Sequence, residues 1–153
     1  MKSTRYLLDV NALVALADPY HKHHEAMEKW FQSIEVSATT WGICPLTEAG
    51  FVRVITNPGY SDPLTIEEAI AYLTRLTVLT RPASGLNYEY WPISDPWVAL
   101  ASPFIGRLFS HQQVTDSYLL GLAVRNNGVL VTFDKGLGYL AGSQYSRNLL
   151  LLD

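Results

Sequence analysis

The chain has 153 residues, of which 48% are hydrophobic and 16% are charged, and its formal net charge at pH 7 is −3. This composition excludes intrinsic disorder and is typical of one globular domain spanning residues 1–153. A single cysteine, Cys44, excludes a disulfide framework and a zinc site built from thiolates. No apolar run reaches the roughly 18 residues that a membrane helix needs, and the first acid comes too early for a signal peptide. We therefore expect a cytoplasmic protein without a membrane segment.

The first third of the chain alternates between strand and helix patterns. Residues 5–9 are predicted to form a short buried strand, and residues 11–17, NALVALA, have the apolar spacing of a helix. Residues 22–33 are predicted to form an amphipathic helix with a charged outer face, and residues 36–44 have the composition of a strand.

Two further helices are predicted in the middle of the chain. The stretch LTEAGFVRVIT forms the first, and it ends before an Asn-Pro-Gly turn. The second begins at Thr65, whose spacing from Glu68 is that of a capping box. Its core-facing positions are predicted to be Ile70, Leu73, Leu76 and Thr77. Residues 80–104 are rich in Pro, Ser and Asp and are predicted to be mainly loop with short elements.

The last third returns to alternating elements. Thr115 is predicted as the N-cap of a helix formed by DSYLLGLAVRNN, and Gly128 as the C′ residue that ends it. The stretches VLVTFD and NLLLL are predicted to be strands. The alternation as a whole indicates an α/β/α sandwich around a central, mainly parallel sheet.

Four acids stand at the ends of these predicted elements. Asp9 and Asp134 each follow a buried strand, and the carboxyl ends of parallel strands share one edge of a sheet. Glu48 and Asp116 each stand near the start of a helix. Taken singly, such residues are ordinary turn or cap residues, because a carboxylate is stabilised by the free N–H groups of a first helical turn.

Taken together, the four acids predict a metal site. Carboxylates gathered on one edge repel each other unless some remain protonated or a cation lies between them. Mg²⁺ and Mn²⁺ prefer oxygen ligands, and an ion of this kind can activate water for phosphodiester hydrolysis. Asn11 and Thr132, each two residues from an acid, are candidates to hydrogen-bond a metal-bound water, although both also suit a plain structural role.

Several other residues have two interpretations. Arg53 is either a ligand for a phosphate or a partner, or a member of a structural salt bridge. The histidines at 21, 23 and 24 favour a solvated helix start over a metal cluster, because no acids with matching spacing accompany them. Core or dimer packing is favoured over base stacking for an aromatic-rich segment. Its rings are Tyr88, Tyr90, Trp91 and Trp97.

Three segments, in order, resemble the signature segments of PIN-domain ribonucleases, in particular the VapC toxins of prokaryotic toxin–antitoxin pairs. They are LLDVNALVAL, PLTEAGFVRVITNP and HQQVTDSYLLGLAVRNNGVLVTFD. The resemblance covers about residues 5–150. It implies a Mg²⁺- or Mn²⁺-dependent endoribonuclease that cuts structured RNA, together with a homodimer and a cognate antitoxin that blocks the site. The family's acidic quartet falls on Asp9, Glu48, Asp116 and Asp134.

A competing interpretation is a non-enzymatic metal-binding regulatory or RNA-binding domain of the same α/β class. A phosphoryl-accepting regulatory domain needs a pair of acids after its first strand and an aspartate at the end of a central strand. Here Val10 follows Asp9, and SATTWGICP contains no aspartate, so the sequence argues against that domain. A member of the nuclease fold that only binds RNA stays open as an alternative.

Overall fold

The computed structural model describes residues 3–34, 39–79 and 87–153. Its centre is a five-stranded sheet with strand order β3-β2-β1-β4-β5, in which every neighbouring pair is parallel. The strands are β1 (Arg5–Leu8), β2 (Thr40–Gly42), β3 (Asn87–Tyr88), β4 (Val129–Thr132) and β5 (Leu149–Leu151). The predicted parallel sheet is confirmed, while residues 36–38 of the predicted second strand lie outside the described residues.

Helices cover both faces of this sheet. They are α1 (Val10–Ala17), α2 (His24–Ser33), α3 (Pro45–Ile55), α4 (Ile66–Leu79), α5 (Trp97–Ala101), α6 (Val114–Arg125) and α7 (Lys135–Ala141). Residues of α1 to α4 belong to the core cluster on one face, and residues of α5 to α7 belong to the cluster on the other. The α/β/α sandwich is therefore as predicted. No helix in the described ranges is both long enough and apolar enough to cross a membrane.

The two core clusters arise from the alternation of side chains along the central strands. Leu7 and Leu130 point into the cluster of α5 to α7, whereas Leu8 and Val131 point into the cluster of α1 to α4, and all four are fully buried. Strands buried on both faces explain the unbroken apolar runs in the sequence.

The order of the strands reverses between β1 and β4. From β1 the chain adds β2 and β3 on one side, and β4 is followed by β5 on the other. A parallel sheet forms a crevice beyond its carboxyl ends at such a switch point, which is where ligands bind in folds of this kind. Asp9 comes directly after β1 and Asp134 lies two residues after β4, so the two acids border this crevice.

The start of α6 differs from the prediction. Thr115 is not the N-cap, because α6 begins at Val114 and continues directly from a 3₁₀ turn at His111–Gln113. The capping residue is instead Ser110, at the start of this turn. Its hydroxyl accepts a hydrogen bond from the Gln112 N–H at 3.0 Å. The turn therefore satisfies the N–H groups that a cap at Thr115 would have served.

The end of α6 also differs in detail. It is a Schellman motif in which Asn127, rather than Gly128, adopts a positive φ of 52°. The Asn127 N–H donates to Val124 O at 3.2 Å and the Gly128 N–H donates to Ala123 O at 2.8 Å. Gly128 is needed for space, since a Cβ atom there would lie 2.5 Å from the ring of Trp91.

Helix α4 begins as predicted but packs differently. The capping box is present, with Thr65 and Glu68 each accepting the other's N–H at 3.1 Å. The prediction that Ile70 faces the core is wrong, because its side chain is 54% exposed. Ala69 is fully buried in its place. The periodicity identified an apolar face, but only part of that face packs on the core, and the rest borders an open groove.

Residues 89–95, here called the crossing segment, leave β3 and cross the face of the sheet that carries α5 to α7. The Trp91 N–H donates to Ile43 O at 3.0 Å, and the Trp91 ring lies against Gly42 and Gly128. At its far end, Asp95 forms an ion pair with Arg125 at 3.0 Å. This segment, which is predicted to be mainly loop, therefore packs in the same layer as α5 to α7.

Candidate active site at the switch point of the sheet

Asp9 is the most buried acid of the crevice, and it is held on two sides. It is the N-cap of α1, where its Oδ1 accepts the Asn11 N–H at 2.5 Å. Its Oδ2 accepts the hydroxyl of the fully buried Thr132 at 2.6 Å. The same hydroxyl oxygen accepts the Asp134 N–H at 3.0 Å. Thr132 therefore joins the acid that follows β1 to the acid that follows β4, in agreement with the structural role that the sequence left open for it.

Asp116 and Asp134 lie beside Asp9. Asp134 is the N-cap of α7 and accepts the Gly136 N–H at 2.8 Å, and its carboxylate lies close enough to that of Asp116 for the two charges to interact. Burial, followed by the negative charges of Asp9 and Asp134, raises the pKa of Asp116 to about 7. Burial also raises the pKa of Asp9 above its usual value. Three acids that are distant in the sequence therefore form one electrostatic unit.

The raised pKa of Asp116 has a consequence for stability. A carboxyl group with a higher pKa in the folded than in the unfolded chain stabilises the fold while it is protonated. For Asp116 this contribution is complete below the unfolded pKa of 3.8 and is lost as the pH rises through about 7. Above that pH the three aspartates carry mutually repelling charges in a partly buried space, which a cation would relieve.

Glu48 lies on the same edge but faces other partners. The buried Thr47 hydroxyl donates to Leu8 O at 2.9 Å and so fixes the start of α3 beside the end of β1. Burial, followed by the charge of Glu48, raises the pKa of the Tyr90 hydroxyl above its usual value, so the Glu48 carboxylate lies near that ring. Burial, with the charge of Glu48 as the next contribution, raises the pKa of Tyr88 to about 12. Within the described residues, no contact joins Glu48 to the three aspartates.

All four acids lie at helix N-termini, of α1, α3, α6 and α7. Asp9 and Asp134 are N-caps, and Glu48 and Asp116 stand in first turns. The interpretation of these acids as cap residues therefore agrees with their positions. It does not explain why the carboxylates of Asp9, Asp116 and Asp134 lie so close together. Four helix ends with partial positive charge at one edge attract anions, including a phosphate group.

The remaining candidates are more exposed. Asn11 contacts Asp9 through its backbone, and its side chain points to solvent. Arg53 is also exposed, on the last turn of α3. In ranges 3–34, 39–79 and 87–153, no three His, Cys, Asp or Glu side chains are arranged to hold a metal ion. The aspartates are therefore close together without forming a finished ligand shell.

Comparison with known proteins identifies the fold and the family. The family model described as PIN domain matches residues 6–142, which is most of the chain. The chain belongs to the PIN-domain family. Structures of FitAB bound to an IR36 DNA fragment and of FitAcB from Neisseria gonorrhoeae are similar, each with a TM-score of 0.56 at 17% identity, covering 89% of this chain. At that identity the likeness shows the fold, and these structures are covered over 90% and 92% of their own length.

Relatives in Mycobacterium tuberculosis place this PIN domain among the VapC-type ribonucleases. Ribonuclease VapC38 is 44% identical over 136 residues, which cover 88% of this chain and 89% of the relative. Ribonuclease VapC44 is 41% identical, with coverage of 90% and 91%, and Ribonuclease VapC39 is 38% identical, with coverage of 86% and 89%. These findings confirm the family predicted from the sequence.

The histidines at positions 21, 23 and 24 pack against neighbouring residues, so the prediction that they form a solvated helix start is wrong. His24 bonds Ala15 O at 2.7 Å through Nδ1 and pairs with Glu28 at 2.7 Å through Nε2. The ring of His23 stacks on Phe133 at 4.3 Å, and the His23 backbone N–H donates to Nδ1 of His21 at 3.0 Å. These contacts connect α2 to the end of β4 and so support the outer side of the crevice.

The four rings of the aromatic-rich segment, Tyr88, Tyr90, Trp91 and Trp97, separate into core and surface positions. Trp91 is buried and Tyr88 packs on Trp41 with ring centroids 5.0 Å apart, as the prediction of core packing requires. Trp97 donates its indole N–H to Val114 O at 2.9 Å. Tyr90, by contrast, is 47% exposed beside Glu48.

An open cavity of about 870 Å³ lies between α3 and α4 and is here called the α3–α4 groove. Its lining is mainly apolar and includes Pro45, Ala49, Val52, Ile66, Ile70 and Leu73. Glu48 and Arg53 also line it, and they stand about 140° apart around α3. The groove is therefore bordered by the Glu48 carboxylate on one side and by the Arg53 guanidinium on the other.

Proposed function

We propose that this VapC-type PIN domain is a metal-dependent endoribonuclease and the toxin of a toxin–antitoxin pair. It would hydrolyse phosphodiester bonds in structured RNA in the cytoplasm. The proposal depends above all on the meeting of Asp9, Asp116 and Asp134 at the switch point of the sheet, where burial and then the neighbouring charges raise the pKa of Asp116 to about 7. The ribonuclease names of relatives that cover most of the chain support the same activity.

The chemistry of the donor groups fits a hard divalent cation. The three aspartates offer only oxygen ligands, which suit Mg²⁺ and Mn²⁺ better than zinc. We infer that they would hold the ion and that Glu48, on the same edge, completes the set. A bound ion supplies a Lewis acid and an activated water for attack on a phosphodiester.

The chain's own residues position this chemistry. Thr132 fixes the orientation of the Asp9 carboxylate and the backbone of Asp134 through one hydroxyl. The N-termini of α1, α3, α6 and α7 direct partial positive charge at the edge where the phosphodiester would lie. Because these groups are already fixed, little reorganisation is needed when the substrate binds.

Expression in cells tests the function as a whole. The chain is produced with and without the neighbouring reading frame, and the 5′ ends of cellular RNA are mapped in both cultures. We expect growth arrest and discrete new RNA ends only when the neighbour is absent. Arrest without new RNA ends would contradict the ribonuclease, and arrest that the neighbour does not relieve would contradict the toxin–antitoxin pair.

Thermal unfolding tests the metal site without requiring activity. Millimolar Mg²⁺ or Mn²⁺ is expected to raise the Tm, because an ion that binds only the folded chain stabilises it. The rise is expected to be larger at pH 8 than at pH 6, since Asp116, with a pKa of about 7, must lose its proton before it can bind a cation. The Asp116→Asn variant should show a smaller rise that depends less on pH. Equal Tm values with and without metal at pH 8 would exclude the shared site.

We further propose that the antitoxin occupies the α3–α4 groove. The groove is mainly apolar and is bordered by Glu48, so it suits an apolar helix or strand that carries a basic residue toward the acid. Such a segment would cover one side of the active-site edge and exclude RNA. Two copies of the chain are also expected to form a homodimer, for which sedimentation provides the test.

A charge placed in the groove tests this partner. Ile70→Asp is expected to weaken antitoxin binding by at least about 10-fold while RNA cleavage is retained, because Ile70 is 54% exposed and away from the aspartates. Ile105→Asp, an equally exposed position outside the groove, serves as the control. Affinity is measured by calorimetry with the purified antitoxin. Unchanged affinity in Ile70→Asp would place the antitoxin elsewhere.

A further inference from the structure

We propose that Phe109 and Tyr139 form a stacking platform for an unpaired nucleobase next to the phosphate that is cut. This inference rests on the proposed ribonuclease function and specifies how that site binds its substrate. It assigns a role to two residues that lie outside the three segments in which the sequence resembles the family.

The two rings form an exposed pair. Phe109 is 73% exposed and Tyr139 is 59% exposed, and their ring centroids lie 5.8 Å apart at an angle of 39°. Among the ring pairs in the described part of the chain, this is the one in which both rings are mainly exposed. Keeping two apolar faces in water is unfavourable, so an exposed aromatic pair indicates a surface that a ligand covers.

Both rings are held by rigid elements. The Gln113 side-chain oxygen accepts the N–H groups of Phe109 and Ser110 at 2.8 and 3.3 Å, which fixes the backbone before α6. Tyr139 belongs to α7, whose buried residues Leu137 and Leu140 anchor it against the core. The platform is therefore preformed, and stacking on it would cost little conformational entropy.

The platform borders the acids directly. A cavity of about 260 Å³ is lined by Phe109, Gln112 and Gly136 and also by Asp116 and Asp134. A base lying on the rings would thus place its own backbone phosphate at the aspartates. The cavity is slightly smaller than pockets for drug-sized ligands, which suits one base.

The polar groups around the rings favour a nucleobase over a protein side chain. Within residues 3–34, 39–79 and 87–153, no hydrogen bond engages the side-chain amide of Gln112, which can both donate to and accept from a base edge. Lys135 is exposed and follows Asp134, where it can neutralise a neighbouring phosphate. The lining of the α3–α4 groove is mainly apolar, so that groove suits an apolar partner better.

The experiment uses a short single-stranded RNA that contains a bond the wild-type protein cuts. Cleavage kinetics are compared for Phe109→Ala, Tyr139→Ala, Phe109→Leu and Phe109→Trp, with Tyr20→Ala, at an 87% exposed ring, as control. We expect the first three to raise KM by roughly 5-fold or more with little change in kcat, because stacking binds substrate and transition state alike. Phe109→Trp should behave like the wild type.

A second substrate set locates the base. Each nucleotide beside the cut is replaced in turn by an abasic residue. One such replacement should raise KM for the wild type but not for Phe109→Ala, which has already lost the stack. If Phe109→Leu equals the wild type, or no abasic position couples to Phe109, the platform is refuted while the ribonuclease stands.

Two other outcomes also decide against the platform. A loss of activity in Phe109→Ala that accompanies a change in sedimentation would mean that the rings contact a second protein copy. A wild-type protein that cuts no RNA at all refutes the proposed function itself, and the platform with it.

Discussion

Replacing Asp116 by asparagine is expected to abolish metal-dependent RNA cleavage while the fold persists. The substitution keeps the size of the side chain but removes one of the negative charges that would hold the cation. Loss of even an indirect partner of a metal ligand typically costs roughly 10- to 100-fold, so we expect a fall of more than about 100-fold in kcat/KM. Without metal, the variant should be at least as stable as the wild type at pH 8, because one repelling charge is gone.

The matched control for this substitution is Asp62→Asn, which removes an exposed carboxylate from the loop between α3 and α4. Cleavage is followed with a labelled RNA in the presence of Mg²⁺ or Mn²⁺, and unfolding is followed by circular dichroism. Asp9→Asn should match Asp116→Asn in activity. Wild-type rates in purified Asp116→Asn would overturn the assignment of the site.

The sequence was sufficient to predict that Asp9 and Asp134 lie on one edge of the sheet, because at each position an apolar strand pattern is followed by an acid. Asp9 and Asp134 follow unbroken apolar runs, and the topology of a parallel sheet puts such positions on one edge. The hydrogen bond from Thr132 to Asp9 could not be predicted from the sequence, because it joins residues 123 positions apart through one hydroxyl. The proximity of Glu48 to Tyr90 depends on a loop packed beside α3 and has no local signal in the sequence.

Helix α4 shows a second limit of periodicity. The apolar spacing correctly identified a helix and an apolar face, but spacing does not reveal whether that face is covered. Ile70 lies on it and remains exposed along the α3–α4 groove. An uncovered apolar face on a helix next to a charged site indicates a surface that a partner covers. From the sequence pattern alone, such a face cannot be distinguished from one that packs on the core.

The crossing segment shows a third limit, because its structure depends on residues far away in the chain. Trp91 can lie flat on the sheet only where Gly42 and Gly128 leave room for its ring. The guanidinium of Arg5 covers the other side at 4.7 Å from the ring centroid and is itself held by Glu89 at 2.6 Å. Local composition, rich in Pro and Ser, predicts only a loop.

Replacing Trp91 by alanine is therefore expected to cause the largest loss of stability among the changes considered. The side chain is 2% exposed, and its indole N–H makes no hydrogen bond within the described residues, so the cost arises from packing. Removing a buried tryptophan costs about 3–5 kcal/mol, and in a chain of this size that lowers the Tm by roughly 6–20 °C.

Chemical denaturation of Trp91→Ala measures this loss, and Tyr20→Ala, at an 87% exposed ring, should stay within about 0.5 kcal/mol of the wild type. The cavity would open between the sheet and Arg5, which would lose its stacking partner while keeping Glu89. The switch-point acids lie at the opposite, carboxyl edge of β1 and β4, so cleavage below the new Tm should be close to normal. A loss of less than about 1 kcal/mol would mean that the crossing segment does not seal this face of the sheet, and that α5 to α7 alone hold it.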